Sequence, residues 1–248
     1  MHHRPRSLRS SAAVLWRVGS TLVSILVVEA LVCGVAALPV VAFWLTAWMP
    51  SDLLMRAGVV SVLIVPSYLA FAMCLMAASA AATRVTGART PPDAAMPISE
   101  MGWPLMRWAR YMVASHVVRT LAGGVFRGSP IWTMYLRLNG ASIGRRVYVN
   151  SLFVSDHNLL EFGDDVVIGS EVHLSGHTVE AGVVKTARVR LGRDVTIGLG
   201  SVIDIGVTVG DGTQVGALSF VPKDTVLEPG VVYAGIPARR MVRQSAPM

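Results

Sequence analysis

The residues best suited to proton-transfer chemistry are three histidines in the last half of the chain, His157, His173 and His177. Imidazole titrates near neutral pH, so a histidine held beside a bound substrate suits a general base. His177 is followed by Glu180 and then by Lys185. Glu180 offers a carboxylate to orient the ring or bind an acceptor, and Lys185 a cation beyond it. His157, within SDHNLL, is a second candidate for holding an acceptor. His173 and His177 are four residues apart, which also admits a metal reading. Zinc needs three or four ligands in tetrahedral geometry, and His157 is the only other histidine of the region. No metal site is expected.

The element that must position these residues is a repeat of six. From Leu191 to Pro237 the chain divides into consecutive hexads without a gap. Their first places hold Leu191, Ile197, Ile203, Val209, Val215, Val221 and Leu227, all branched aliphatics. Their fifth places hold Val195, Ser201, Val207, Thr213, Ser219, Thr225 and Val231, all small or β-branched. A period of six matches neither an amphipathic helix nor a long strand. It matches short strands and tight turns stacked as a parallel β-helix, whose coils bury their apolar columns only against one another. Earlier hexads begin at Ile143, Val149, Phe162, Ile168 and Leu174, giving about five coils in all. From Leu174 to Leu191 is 17 residues where 18 would keep the period. SGHTVEAGVVKTARVR is therefore an excursion from the regular coil, and His177 lies in it. His173 falls at the last place of its hexad, near a corner, which is a structural position.

Hydrophobic residues make up 53% of the chain and charged ones 15%, and the apolar excess sits in the first third. VLWRVGSTLVSILVVEALVCGVAALPVVAFWLTAWMP exceeds the roughly 20 apolar residues that cross a bilayer. It is also too long for a signal-peptide core, and a second apolar run follows from about Ala57 to Ala82. SDLLMR forms a polar hinge between the two. Pro39 is expected to kink or end the first helix, and Trp44 and Trp48 suit a membrane interface. Glu29 lies inside the first span, which makes it either a functional carboxylate or a protonated or partner-bonded residue facing the hairpin or an oligomer interface. Arg4, Arg6 and Arg9 before the hairpin, and Arg84, Arg89, Arg107 and Arg110 after it, place both ends in the cytoplasm. The net charge of +7 is scattered and accompanied by no nucleic-acid motif. It fits anionic lipid headgroups or a phosphate-bearing substrate rather than nucleic acid. Cys33 and Cys74 form neither a disulfide framework nor a metal pattern.

The expected division is a basic cytoplasmic N-terminus over 1–11, a transmembrane helical hairpin over 12–83 and a linker over 84–97. Interfacial and connecting helices follow over 98–140, then the β-helix over 141–248. In the helix that runs to about residue 122, Trp108, Tyr111 and Met112 share one face beside Arg107 and Arg110. That pattern suits the headgroup layer, or a soluble helix packed on the β-domain.

The repeats, with the ending VVYAGIPARRM, resemble the left-handed β-helix acyltransferases, also called hexapeptide-repeat transferases. A wider likeness takes in the two spans, the aromatic–Arg helix, FRGSPIWTMYLRLNGASIGRRVYVNS, LLEFGDDVVIGSEVHLSGHTVE and ALSFVPKDT. These are similar to one membrane repeat of the C-terminal region of Pls/PosA-type nonribosomal peptide synthetases, of which the ε-poly-lysine synthetase is the best-known type. This chain carries one copy of the unit and neither an adenylation nor a carrier domain. The resemblance implies a left-handed β-helix and transfer of an acyl group, most readily acetyl, from an acyl-CoA to a hydroxyl or amine. It implies His177 as the general base. Backbone groups around Gly198, Gly216, Ala217 and Ser219 would hold the pantetheine arm, and Lys223, Arg239 and Arg240 would meet the CoA phosphates. It further implies a homotrimer with sites between subunits. Two other readings are an auxiliary subunit acting in trans with a peptide synthetase and a non-catalytic membrane scaffold.

Overall fold

The computed structural model describes residues 8–241. Arg4 and Arg6, used above to orient the chain, lie outside the described residues, as does the side chain of Arg9. Two long helices, α1 (Leu8–Thr46) and α2 (Leu53–Thr86), form an antiparallel hairpin. Both are long and apolar enough to cross a membrane. Helix α2 starts earlier than its apolar run suggests, because the Asp52 carboxylate caps it by accepting from the Met55 N–H at 2.8 Å. It ends at Gly87, in the left-handed conformation that terminates helices. Pro39 does not end α1; the helix runs through it to Thr46. Pro39 and Pro66 line one apolar pocket between the two helices. Trp48 is exposed, whereas the Trp44 indole N–H donates to Ser67 Oγ of α2 at 3.1 Å and staples the hairpin.

The 39 residues of α1 span about 58 Å, roughly twice the apolar thickness of a bilayer. Its N-terminal part runs beside other elements. Arg17 donates to the Glu100 carbonyl at 3.1 Å, and Val18 packs against Met96, Leu105 and Met106. Leu105 and Met106 belong to α3 (Trp103–Val118), which continues through a π-helical turn (Arg119–Gly123) into α4 (Gly124–Phe126). Helix α5 (Pro130–Leu138) then leads into the repeats. The aromatic face of α3 is not turned to a headgroup layer. Tyr111 is fully buried, and Trp108 reaches into the β-domain.

The repeats form a parallel β-helix of about five coils, left-handed as the resemblance implies. One wall stacks strands at Ser142, Leu160, Val189, Thr208 and Val226. A second stacks strands at Tyr148, Val167, Thr196, Gln214 and Val232, and a third those at His173, Val202 and Phe220. All seven first-place aliphatics from Leu191 to Leu227 are buried. The fifth places are buried as well from Val195 to Ser219. Hydroxyls there bond backbone of the next coil: Ser201 Oγ donates to the Gly216 carbonyl at 2.8 Å, and Thr213 Oγ1 to the Glu228 carbonyl at 2.6 Å. A polar residue can thus occupy the core without an orphaned group. The 17-residue interval is a β-hairpin leaving the corner between the third and first walls. Its strands are His177–Glu180 and Val183–Thr186, and the second pairs with Ala95–Pro97 of the linker.

Candidate functional site

The excursion brings His177 against Asp156. His177 Nδ1 lies 2.5 Å from Asp156 Oδ2, and the carboxylate is completely buried. Asp156 adopts a left-handed backbone (φ 53°), a conformation that aspartate tolerates better than most residues. Its other oxygen accepts from Thr90 Oγ1 at 2.6 Å and from the Trp108 indole N–H at 3.3 Å. Ser155 and Ser175 hydroxyls lie 3.3 and 3.2 Å from Oδ2. Four distant segments therefore meet at one carboxylate: the linker after α2, helix α3, the first coil and the hairpin.

Burial by itself raises the Asp156 pKa. Hydrogen bonding and charge from His177, then the Thr90 hydroxyl, outweigh it and hold the carboxyl below its ordinary value. Asp156 is thus an anion at neutral pH. An anion at Nδ1 requires the proton of neutral His177 to sit there, which leaves the Nε2 lone pair free. The imidazole is 21% exposed, so a substrate can reach it. The Trp108 ring meets it edge to face, with centroids 5.1 Å apart, and fixes its plane. Ser175 Oγ, 2.9 Å from Nδ1, closes the network. The arrangement is a carboxylate–imidazole pair suited to general base catalysis.

The other expected residues divide. Glu180 does not orient the imidazole; Asp156 does. Glu180 Oε2 instead accepts from Lys185 Nζ at 2.9 Å, and Oε1 accepts from Lys223 Nζ. Lys223 and Lys185 together hold its pKa at about 2. Lys185 and Lys223 are thus committed to a tie between the hairpin and a later coil. His157 does not face an acceptor. It is buried against Tyr111 and Tyr135, and its Nε2 lies 3.1 Å from the Val154 carbonyl. Burial pushes its pKa down to about 4, so it is neutral. Ser219 is also buried, with its Oγ accepting from the Gly235 N–H at 3.1 Å and its N–H donating to Ser201 Oγ at 3.2 Å. It has no donor left for a ligand.

Gly198, Gly216 and Ala217 do stand together, on successive coils at the corner between the second and third walls. A Cβ on Gly198 would lie 2.5 Å from the Ala217 N. The glycine is therefore required by the approach of two backbones, whatever else the corner does. Ala217 is exposed, and its N–H makes no hydrogen bond among the described residues. Arg239 and Arg240 form a last strand against Tyr233 and Ala234. Arg240 pairs with Glu228 at 3.1 Å, and Arg239 has no partner side chain among the described residues. His173 is exposed and stacks on Phe153, with centroids 4.4 Å apart. No cluster of three or more metal-ligating side chains occurs among the described residues.

Sequence reasoning missed Asp156, Trp108, Thr90 and Ser175. The SDHNLL stretch points to His157, but it is the aspartate beside it that meets His177.

No family model matches the chain. It is 40% identical over 105 residues to galactoside O-acetyltransferase of Escherichia coli (strain K12), covering 39% of this chain and 51% of that protein. It is 28% identical over 136 residues to delta-poly-L-ornithine synthetase of Acinetobacter baumannii (strain AB307-0294), covering 55% of this chain and 10% of that protein. The chain thus spans about half the length of one relative and a tenth of the other. Among solved structures, a galactoside acetyltransferase in complex with coenzyme A is 28% identical with a TM-score of 0.37, covering 45% of this chain and 69% of that one. The repeats are thus similar to a hexapeptide-repeat acetyltransferase, with distant homology to the Pls-type synthetase.

Proposed function

We propose that this chain is a membrane-bound acyltransferase that moves an acyl group, most readily acetyl, from acyl-CoA to a hydroxyl or amine of a membrane-associated acceptor. The observation that carries the proposal is the His177–Asp156 pair, set in a hexapeptide-repeat acetyltransferase region. His177 Nε2 takes the proton of the acceptor hydroxyl or amine as its oxygen or nitrogen attacks the thioester carbonyl carbon. The tetrahedral intermediate collapses with cleavage of the C–S bond. The imidazolium returns the proton to the departing thiolate, and Asp156 steadies the cation in between.

The donor groove is the corner of Gly198, Gly216 and Ala217. The free Ala217 N–H offers a backbone donor to the pantetheine amides, and Arg239 offers a guanidinium to phosphate. Within one chain, His177 and this corner stand at opposite edges of the third wall. A complete site therefore needs the corner of a second copy beside the His177 of the first, which a homotrimer supplies. Exposed Leu199, Leu218 and Ile236 along that corner support contact between copies.

Exposed Leu26, Leu31, Leu38 and Leu45 on α1, with Leu53, Val62 and Ile64 on α2, support two membrane spans. Such a belt is costly in water and favourable in lipid. Arg84 in the last turn of α2, with Arg89 and Arg107 after it, supports a cytoplasmic β-helix, on the side where acyl-CoA is made.

The likeness to the ornithine polymer synthetase favours a second reading, an amide-forming unit that accepts aminoacyl groups in trans. One experiment separates them. Lipids and metabolites of a deletion strain, complemented with wild type or His177→Ala, are compared by mass spectrometry. Acyl transfer predicts an acyl mass lost in both the deletion and the His177→Ala strain. An aminoacyl mass would favour the second reading. If no species differs between strains, acyl transfer is wrong.

A further inference from the structure

We infer that the cleft between the end of α2 and the start of α3 binds the phosphate group of a membrane-anchored molecule. This rests on the acyltransferase reading only in making that molecule the acceptor; the binding itself does not depend on it.

The cleft has a volume of about 490 Å³ and is open to solvent. Arg89, Arg107 and Arg188 line it, and no carboxylate does. The side chains of Arg89 and Arg107 have neither an ion pair nor a hydrogen bond among the described residues. Arg188 shares a single carboxylate, Glu161, with Arg190, at 2.9 and 3.0 Å. Two guanidiniums draw on one acid, so the cleft keeps an excess of positive charge. A carboxylate has two oxygens and is filled by one bidentate arginine. A phosphate monoester has three terminal oxygens and close to two charges, and so matches several guanidiniums converging on one hollow.

Two observations set this cleft apart from ordinary surface charge. The first is its place. Gly87, the residue that ends α2, forms part of the wall, so the opening lies where the apolar helix stops. The second is its floor. Asn158 grips the backbone of Thr90 twice, accepting from its N–H at 3.2 Å and donating to its carbonyl at 2.9 Å. The Thr90 hydroxyl in turn bonds Asp156. A phosphate in the cleft is thereby held one residue away from the carboxylate that orients His177.

The test measures lipid retention by native mass spectrometry of the full chain in detergent. The probes are phosphatidic acid, phosphatidylglycerol, phosphatidylcholine and inorganic phosphate. Phosphatidic acid, with its terminal monoester, is expected to bind most tightly. Arg89→Gln with Arg107→Gln is expected to weaken it at least about tenfold, the scale of a lost charged hydrogen bond. Arg84→Gln, one turn earlier on α2 and outside the cleft, is expected to leave it unchanged. Equal loss in Arg84→Gln would mean diffuse attraction to anionic lipid and would overturn the site. Inorganic phosphate binding as tightly as the lipid would overturn the membrane-anchored source. Loss of acetyl-CoA affinity in the double variant would assign the cleft to the donor and overturn the proposal. Retention by His177→Ala separates failure of this inference from failure of acyl transfer. If that variant binds phosphatidic acid normally while no acyl mass is ever transferred, the site stands and the enzyme reading falls.

Discussion

Replacing Asp156 by Asn should disable His177 without removing it. The carboxylate has two differently used oxygens. Oδ1 takes the Thr90 hydroxyl and the Trp108 indole, and Oδ2 takes His177 Nδ1. An asparagine in the same pocket keeps its carbonyl oxygen on the Thr90–Trp108 side, because both of those partners donate. Its NH2 then faces the imidazole. An NH2 at Nδ1 needs a lone pair there, so the ring proton moves to Nε2, the atom proposed to accept the substrate proton. The wrong tautomer is selected in a site whose packing is nearly unchanged. Loss of a correctly placed base in this way corresponds to about 10²–10⁴ in kcat, or about 3–5.5 kcal/mol of transition-state stabilisation. Two assays read it. Thiol release from acetyl-CoA by the full chain, supplied with a membrane extract, measures the rate. Nitrogen-15 shifts of His177 report the tautomer and need no knowledge of the acceptor. An Asn variant within threefold of wild type, with the proton still on Nδ1, would refute the assignment of Asp156.

Two further outcomes follow from the same geometry. His157 is neutral in the fold at about 4, against an ordinary value of 6.5. The unfolded chain therefore binds the extra proton first, and this contribution, intact above about pH 6.5, is lost as pH falls towards 4. The full loss is about 3 kcal/mol, of which about 2 is reached by pH 5. Denaturant midpoints in detergent should fall between pH 7 and 5 in wild type and fall less in His157→Phe; parallel slopes would dismiss the buried imidazole as their cause. Gly198→Ala puts a methyl 2.5 Å from the Ala217 backbone nitrogen. A coil backbone cannot yield as a side chain does, so a loss of about 1–3 kcal/mol is expected, read as a lowered melting temperature of the β-domain. An unchanged melting temperature would show that the corner opens freely.

The β-helix was legible because each of its rules repeats. Ile197, Ile203 and Val209 announce the same inward position at a fixed interval, and nothing distant is needed to interpret them. The interruption was legible for the same reason, since a missing residue between Leu174 and Leu191 stands out only against a period. The site was only half legible. His177 lay in the excursion, but its partner comes from a coil 21 residues earlier. Glu180 was favoured as orienting group because it is close in sequence. Along a strand, however, His177 and Glu180 point to opposite faces, and Glu180 is drawn away to Lys223. The sequence left Trp108 open between lipid and the β-domain, because an aromatic stripe beside arginines looks the same whichever covers it; the structure takes the second.

The period also explains why the proposed chemistry lies outside it. In a regular coil the first and fifth places are consumed by the core, and the corner backbones are consumed by hydrogen bonds to neighbouring coils. Ser201, Thr213 and Ser219 show this, since each hydroxyl already has a partner. A side chain that is both held rigidly and exposed needs a segment that leaves the coil and is fixed elsewhere. The His177 hairpin meets both conditions. It is secured at one side by strand Ala95–Pro97 and at its far end by Glu180 on Lys223 and Lys185. Strand Ala95–Pro97 directly follows the linker that leaves α2, and Thr90 in that linker touches Asp156. The apolar hairpin is thereby joined to the dyad by a short, hydrogen-bonded path, which sets the base close to the end of α2.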